Sequence, residues 1–359
     1  MSVDLRSEFG PVAPLVEVRR GGRTEGVHYG VGVAATHDGE ILAAIGGAAG
    51  ASVFPRSALK PFQLEALLSH PTVQGLELSE EEVGVLTASH DGEATHVALI
   101  DGVLRRVGAE RSHLRCGLPD PRKGDRNRPE DEMMPIYAEC SGKHAAMLAL
   151  ARLLDCPFDG YLDPTHPAQV AIRRTIVDRL GIGEDEIATA TDGCGAPAYQ
   201  VPLGSLAVAY AQLAAAGRGV ATSSPLGRIA SAMMAHPTLI AGSSGRVDTE
   251  SMLAAPGLIA KTGREGVLAL AHVSGVSYVI KVSDGDPDSR AAACVAASVL
   301  DLMTWAANGR ARGNGRQNSS ADDDRTAKVL PSPELERFVT AGRQQSLVTQ
   351  GGRASLGGR

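Results

Sequence analysis

Residues that favour β-strands are concentrated near the two ends of the sequence, and this distribution most constrains the fold. Near the N-terminus, residues 14–20, 27–36 and 40–46 are apolar runs separated by turns that contain Gly and Asp. From Gly257 onward, "GLIAKTG", "VLALAHVS" and "SYVIKVSD" are short apolar or β-branched runs broken by glycine. Strands from both ends of the chain most simply join one antiparallel sheet.

Most of the segments between these strands are predicted to be helices. The first helix opens at Ser57 and ends near His70, and Ser79 and Glu82 have the capping-box spacing that begins a second. Apolar periodicity predicts further helices at 92–107, 143–154, 167–180, 203–216, 225–235 and 249–254, and a long Ala-rich helix from Asp288. Residues 117–133 are too rich in Pro and charge for a core element and are interpreted as a loop.

This order predicts an α/β fold, an α+β sandwich in which an antiparallel sheet is flanked by helices and joined to an all-helical lobe. One domain, residues 1–308, would contain a sheet lobe at about 12–70 and 257–308 and a helical lobe at about 71–256. A cleft between the lobes is the expected place for an active site. Residues 309–359 are predicted to be a disordered polar tail, because they contain too few apolar residues to offset the entropy of ordering.

The composition excludes several classes of partner. A formal net charge of -6 and an aromatic content of 3% do not suit a nucleic-acid-binding protein. No apolar run is long enough to span a bilayer, so a membrane partner is not expected. The N-terminal segment has no secretory signal pattern, and five cysteines without regular spacing do not form a disulfide framework. We therefore expect a cytoplasmic protein.

The stretch "FPRSALKPFQ" places Ser57 and Lys60 three residues apart, on one face of the predicted helix. A neutral serine needs an adjacent base to act as a nucleophile, and a lysine serves only when its pKa is lowered. A second cation lowers that pKa further, and Lys261 in "AKTG" is the candidate. Ser89, followed by His90 in "TASHDG", offers a second hydroxyl that bridges the lysines. S-x-x-K, a loop serine and K-T-G have the motif order of serine β-lactamases and penicillin-binding proteins.

A second set of residues could bind a metal. Cys140 and Cys194 both lie in Gly-containing loops, and Lys143 and His144 follow the first at short spacing. Two thiolates and one nitrogen donor suit a tetrahedral zinc ion with an open fourth position, and His144 is the nitrogen donor expected from chemistry alone. The alternative is that both cysteines are small buried thiols.

The motifs together resemble a known family, the Rhizobium etli-type (class 3) L-asparaginases of the L-asparaginase II family. The resemblance covers about residues 12–306 and is carried by "PLVEVRRGGRTEGVHYG", "FPRSALKPFQ", "TASHDGE", "CSGKHAAML", "TDGCGAP" and "AKTGREGV". It implies a serine-β-lactamase/glutaminase-like fold, hydrolysis of L-asparagine to L-aspartate and ammonia, and a homodimer.

The resemblance also implies roles for individual residues. It makes Ser57 the nucleophile and Lys60 its base, with Ser89 and Lys261 as a second Ser-Lys pair. It implies Zn²⁺ bound by Cys140, Lys143 and Cys194. The nitrogen ligand implied by the resemblance is therefore Lys143 and not His144. The residues expected to line the substrate site are Arg56, His90, His144, Asp192 and Arg264.

Three other functions compete with this interpretation. A β-lactamase-like serine hydrolase would share Ser57, Lys60 and Lys261, but "SHD" replaces "SDN" at Ser89. A glutaminase is a nearer alternative, because the sequence does not fix how far glutamine is excluded. A zinc-containing protein that binds an amino acid without cleaving it would not need the serine and lysine set.

Overall fold

The computed structural model describes residues 10–119, 133–218, 223–243, 245–308 and 325–329. The strands in these ranges are β1 (Ala13–Arg20), β2 (Arg23–Thr36), β3 (Ile41–Ile45), β4 (Ser52–Val53), β5 (Ala188–Thr191), β6 (Pro197–Pro202), β7 (Leu258–Gly263), β8 (Val267–His272), β9 (Val276–Val282) and β10 (Arg325–Val329). The α-helices are α1 (Lys60–Leu68), α2 (Glu80–Leu86), α3 (Ala94–Val107), α4 (Ser141–Leu153), α5 (Pro167–Leu180), α6 (Leu203–Ala216), α7 (Pro225–Ala235), α8 (Pro237–Ile240), α9 (Val247–Ala254) and α10 (Arg290–Asn308). The chain is a mixed α/β protein with antiparallel sheets and flanking helices, as the sequence predicts.

The chain divides into two compact units, and the first contains the large sheet. This sheet unit comprises the described residues of Met1–Val53, Val201–Ala215 and Ser251–Arg359. Its strand order is β10-β1-β2-β9-β8-β7, with β3 added beside β2, and every pairing is antiparallel. All seven residues of β9 are buried, as expected for a central strand with both faces covered. Helix α10 packs against β1 and β8.

The second unit is mainly helical and comprises the described residues of Phe54–Gln200 and Ala216–Glu250. All nine residues of α1 are buried, because α4, α5 and α7 pack around it. A charge in such a helix requires a partner: Glu65 accepts a hydrogen bond of 3.0 Å from Arg179 Nε on α5. Helix α2 begins with the predicted capping box, in which Ser79 and Glu82 each satisfy the other's backbone N–H.

The boundaries of the two units differ from the predicted lobes. Helix α1 belongs to the helical unit, because it packs against other helices rather than against the sheet. The part of α6 up to Ala215 belongs to the sheet unit, where Ser277 Oγ of β9 donates a hydrogen bond of 2.6 Å to the Ala207 carbonyl. Strands β5 and β6 were not predicted, and they pair antiparallel as a hairpin.

Part of the predicted tail is ordered. Residues Arg325–Val329 form β10, which pairs antiparallel with β1 over Val16–Arg20. The prediction of disorder is therefore wrong for these five residues, because an exposed edge strand offers backbone groups that can pair with a polar segment. Residues 309–324 and 330–359 lie outside the described residues. They include "PELERFVTAG", residues 333–342, which the sequence predicts to form a brief helix. Among the described helices, none is long and apolar enough to cross a membrane.

Candidate active site

Ser57 lies in a short 3₁₀ helix, Arg56–Leu59, that runs directly into α1. Residues three apart are eclipsed in a 3₁₀ helix, so the side chains of Ser57 and Lys60 leave the same face. Both residues are buried, and Lys60 is only 1% exposed. The residue before the serine, Arg56, has a φ of 53°, a left-handed conformation that costs energy in a non-glycine residue. Such strain is typical of functional sites, where surrounding contacts maintain it.

The Lys60 amine joins three separate segments of the helical unit. Lys60 Nζ donates hydrogen bonds to the Ala88 carbonyl at 2.5 Å, to Ser89 Oγ at 3.0 Å and to the Glu139 carbonyl at 3.1 Å. An ammonium group has three N–H bonds, and three oxygens are placed to accept them. This arrangement holds the Lys60 amine within hydrogen-bonding distance of the Ser89 hydroxyl.

His90 supports the loop that carries Ser89. Its Nδ1 accepts a hydrogen bond of 3.0 Å from the Gly92 N–H, and its Nε2 lies 3.0 Å from Ser141 Oγ. Because Ser141 donates its own hydrogen to the Ile136 carbonyl at 2.7 Å, the hydroxyl accepts from His90 Nε2–H. Both ring nitrogens therefore face protein groups, which favours a role for His90 in holding the loop.

Arg56 and Asp192 form a partly buried ion pair. Arg56 Nε donates to Asp192 Oδ1 at 2.8 Å, and the guanidinium makes a second hydrogen bond to the same oxygen. Burial raises the pKa of Asp192, but the Arg56 hydrogen bond and the charge of Lys143 outweigh it and hold that pKa below 3.8. Asp192 is therefore a carboxylate at neutral pH. It lies at the tip of the β5–β6 hairpin, two residues before Cys194.

Cys140, Lys143 and Cys194 form one buried cluster. Cys140 precedes the first residue of α4, Lys143 lies in its first turn, and Lys143 Nζ is 3.1 Å from Cys194 Sγ. A hydrogen bond from the Cys194 thiol lowers the pKa of Cys140 well below 9.0 and raises that of Cys194. Burial lowers the pKa of Lys143, but the Cys140 and Cys194 sulfurs more than offset this effect and raise it overall.

The chemistry of this cluster fits a zinc ion. Two sulfurs and one amine converge in a buried position, and zinc takes such soft and nitrogen donors in tetrahedral geometry. Zinc would displace the protons of Cys194 and Lys143, because only deprotonated donors bind it. The described residues contain no group of three or more His, Cys, Asp and Glu side chains able to hold a metal. The predicted set has only two such members, because its third donor is a lysine.

His144 has one ring nitrogen engaged and one available. Tyr161 Oη accepts from the Arg115 N–H at 3.0 Å and lies 2.7 Å from His144 Nδ1, at hydrogen-bonding distance. Burial, followed by the charges of Lys143 and Lys60, lowers the pKa of His144 well below 6.5. The ring is therefore neutral at neutral pH, and the other ring nitrogen is Nε2. Within the described part of the chain, this buried nitrogen has no hydrogen-bond partner.

Lys261 and Arg264 belong to the sheet unit. Lys261 lies on β7 opposite Ala269 of β8, is 0% exposed, and its Nζ lies 3.1 Å from the Thr262 carbonyl. Arg264 follows β7 in the turn to β8 and is half-buried. The approach of Lys261 to Lys60, and a substrate contact by Arg264, stay predictions.

Three residues near the site were not predicted from the sequence. Ser141 contacts His90, Tyr161 contacts His144, and Arg246 donates a hydrogen bond of 3.0 Å to the Ser89 carbonyl. The motif "CSGK" contained Ser141, but its hydroxyl had no role in the expected chemistry. Tyr161 and Arg246 lie far in sequence from the residues they contact, so no local spacing indicated them.

Comparison with known proteins adds the following findings. A family model described as L-asparaginase II matches residues 16–327. The solved structure of a β-lactamase from Mycobacterium bovis is 14% identical, with a TM-score of 0.38, over 72% of this chain and 88% of its own. Mglu, solved in its native form in 4.3 M NaCl, is 17% identical, with a TM-score of 0.35, over 82% of this chain and 66% of its own. Both scores lie below 0.5, a level at which a likeness carries no weight for function. No curated protein sequence matches.

Proposed function

The chain belongs to the L-asparaginase II family, and we propose that it hydrolyses L-asparagine to L-aspartate and ammonia through an acyl-enzyme on Ser57. The observation that carries the mechanism is the buried Lys60 amine, one 3₁₀ turn after Ser57 and 3.0 Å from Ser89 Oγ. An amidase needs a hydroxyl, a group that takes its proton and a path for that proton to the leaving ammonia. We assign the chain to the Rhizobium etli-type class as part of the same proposal.

In the first step, Ser57 Oγ attacks the side-chain amide carbon while a neutral Lys60 takes the serine proton. The three oxygens around Lys60 Nζ suit the ammonium group that results. Ser89 Oγ then passes a proton toward the leaving nitrogen, and ammonia departs. Backbone N–H groups at the start of the Arg56–Leu59 turn stabilise the oxyanion. Water hydrolyses the acyl-enzyme by the reverse proton path, releasing aspartate.

Recognition of the amino-acid end of the substrate is assigned to charged groups beside Ser57. Asparagine carries an α-carboxylate and an α-ammonium, and the pair formed by Arg56 and Asp192 is complementary to both. We propose that the carboxylate binds Arg56 and the ammonium binds Asp192, so that substrate replaces part of their mutual contact. The Nε2 atom of His144, which has no hydrogen-bond partner among the described residues, supplies a further polar group for the substrate.

Lys261 completes the proposal as the cation that keeps Lys60 neutral before the attack. Like charges disfavour each other's protonation. Support comes from the complete burial of Lys261 on β7, where water cannot screen its charge. Arg264, in the turn after β7, is assigned to the substrate carboxylate as an alternative to Arg56.

Zinc is proposed at Cys140, Lys143 and Cys194. When bound, it supplies a fixed positive charge that orients substrate beside Ser57. Asp192 lies two residues from Cys194, so the hairpin tip that carries this sulfur donor also carries the carboxylate proposed to bind the substrate ammonium. A cytoplasmic homodimer is the proposed assembly, and light scattering at several protein concentrations tests the dimer.

Ammonia release from L-asparagine tests the function, with L-glutamine assayed beside it and a chelator added to a second set. Ser57→Ala is expected to lower kcat by at least about a thousandfold, because it removes the nucleophile. Ser69→Ala, at the exposed C-terminal end of α1, is the matched control and is expected to keep wild-type turnover. Full activity in Ser57→Ala would reassign the nucleophile, and failure of the wild-type protein to release ammonia from L-asparagine would overturn the function.

A further inference from the structure

The loop that carries Ser89 is fastened to the segment 237–250 of the same helical unit. The Ser89 N–H donates to the Ile240 carbonyl at 2.9 Å. Three residues further along the segment, the Ser243 N–H donates to Glu93 Oε1 at 2.7 Å. These contacts join two parts of the chain that lie about 150 residues apart in sequence. They fix the stretch from Ser89 to Glu93 at both of its ends.

Arg246 is a side chain of this segment that hydrogen-bonds the Ser89 backbone. One nitrogen of its guanidinium donates to the Ser89 carbonyl at 3.0 Å, and the other pairs with the Asp91 carboxylate. The Arg246 and Asp91 side chains are only 20% and 19% exposed, so solvent screens the pair weakly. A planar guanidinium that bonds two acceptors two residues apart fixes the backbone between them.

Ser89 Oγ is the atom whose position matters for the proposed reaction. It lies 3.0 Å from Lys60 Nζ, at hydrogen-bonding distance, and a shift of about 1 Å would break that contact. The Ser89 side chain has no fixed position unless its backbone is fixed. The backbone is fixed on one side by Ile240 and on the other by Arg246.

We propose that Arg246, oriented by Asp91, is a positioning residue that holds Ser89 Oγ at the Lys60 amine. Arg246 contacts the carbonyl of Ser89 and acts on the proton path only through that residue. The inference rests on the proposed function, because it needs Ser89 to pass a proton between Lys60 and the leaving nitrogen. A lysine at position 246 would keep the charge but lack the planar fork with which arginine bonds both acceptors in a fixed geometry.

Steady-state ammonia release by Arg246→Ala, Arg246→Lys and Arg179→Ala tests the proposal. Arg179 is the matched control, because it also pairs with a carboxylate, that of Glu65, and is similarly buried, but it lies on α5 away from Ser89. Misplacement of a reacting group by about 1 Å costs up to about a hundredfold in rate. We expect kcat to fall about 10- to 100-fold in Arg246→Ala with KM within about twofold, since no substrate contact is lost. The kcat of Arg246→Lys is expected to lie between those of wild type and Arg246→Ala. Arg179→Ala is expected to keep the wild-type kcat per folded molecule.

Chemical rescue separates positioning from general destabilisation. Guanidinium chloride at millimolar concentration, far below denaturing levels, is expected to restore at least about a tenth of the lost kcat in Arg246→Ala, because the free cation can bond both acceptors. The same addition is expected to leave Arg179→Ala and wild type unchanged. Wild-type kcat in Arg246→Ala, or a loss that guanidinium does not restore, would overturn the inference while leaving the proposed function in place.

Hydrogen exchange supplies a readout that does not depend on activity. The backbone amides of peptide 87–93 are expected to exchange at least about tenfold faster in Arg246→Ala than in wild type, since a local hydrogen bond of about 1.4 kcal/mol is lost. Arg179→Ala is expected to leave these amides unchanged. Equal exchange in wild type and Arg246→Ala would overturn the inference even in an active enzyme. A wild-type protein that is inactive toward asparagine would overturn the function, and the exchange rates would still decide whether Arg246 holds the loop.

Discussion

Replacing Gly142 with alanine would test how closely helices α4 and α2 must approach. Gly142 lies in the first turn of α4, between Cys140 and Lys143, and faces the end of α2. An alanine Cβ would overlap the Val85 carbonyl oxygen and would lie 3.1 Å from the Val85 carbonyl carbon and 3.5 Å from Leu86 Cα. All of these atoms belong to backbone, which cannot rotate away as a side chain can. The two helix ends would have to separate.

Two effects of opposite sign decide the stability of Gly142→Ala. Alanine is favoured over glycine inside a helix by about 1 kcal/mol, which alone would stabilise the protein. Inserting a methyl group into a filled space costs about 1–3 kcal/mol, and a clash with backbone belongs at the upper end of that range. The cost of the clash exceeds the gain in helix propensity, and we expect a net loss of about 2 kcal/mol in the free energy of unfolding.

Urea denaturation of Gly142→Ala and Gly84→Ala measures the difference. Gly84 lies in α2 and faces α7, and an alanine Cβ there would be 3.7 Å from its nearest neighbour, the Ala232 carbonyl oxygen. That is an ordinary van der Waals distance, so Gly84→Ala is expected to gain up to about 1 kcal/mol. If Gly142→Ala is as stable as Gly84→Ala, the close approach of α4 to α2 is refuted.

The other predictions concern the metal and pH. Cys194→Ser is expected to lower zinc content in metal analysis at least about tenfold relative to Cys156→Ser, and equal content would remove Cys194 from the ligand set. Lys143→Arg is expected to weaken zinc binding in a chelator competition, because a guanidinium keeps its proton. Burial lowers the pKa of His96 below 6.5, so the unfolded chain takes up a proton that the folded chain does not as pH falls below that value. Stability is therefore expected to fall by up to about 1.4 kcal/mol per pH unit below pH 6.5, and His96→Gln to show a shallower fall in urea titrations at several pH values.

Local patterns predicted the elements well because their signals lie within a few residues. The capping box at Ser79 and the β-type runs after Gly257 are examples, and both are found in the structure. The β5–β6 hairpin was missed because all four residues of β5, "ATAT", are exposed, which removes the hydrophobic alternation that marks a strand. Its turn signal, the glycines around Cys194, is present in "TDGCGAP" but does not distinguish a hairpin turn from another loop.

The candidate site divides in the same way between local and distant contacts. The spacing of Ser57 and Lys60 was sufficient to place both on one face, since a helical turn fixes their relation. The contact of Lys60 with Ser89, and that of Lys143 with Cys194, depend on how separate helices and loops pack. The need for a second hydroxyl indicates the first contact, and the resemblance indicates the second. The contact of Arg246 with Ser89 had no signal at all, because both partners lie in loops without periodicity.

The interrupted course of the chain through its two units has a consequence for biosynthesis. All segments of the helical unit have been synthesised once Glu250 has left the ribosome. Strand β2, in contrast, cannot pair with β9 until Val276–Val282 has been synthesised, since Gly30 pairs with Val282. Pairing of strands so far apart in sequence is slow, because the entropy cost of closing a long loop comes before any stabilising hydrogen bond forms. We therefore expect the N-terminal hairpin of β1 and β2 to stay exposed along the edge of β2 that β9 later covers. It would be the part of the nascent chain most in need of a chaperone.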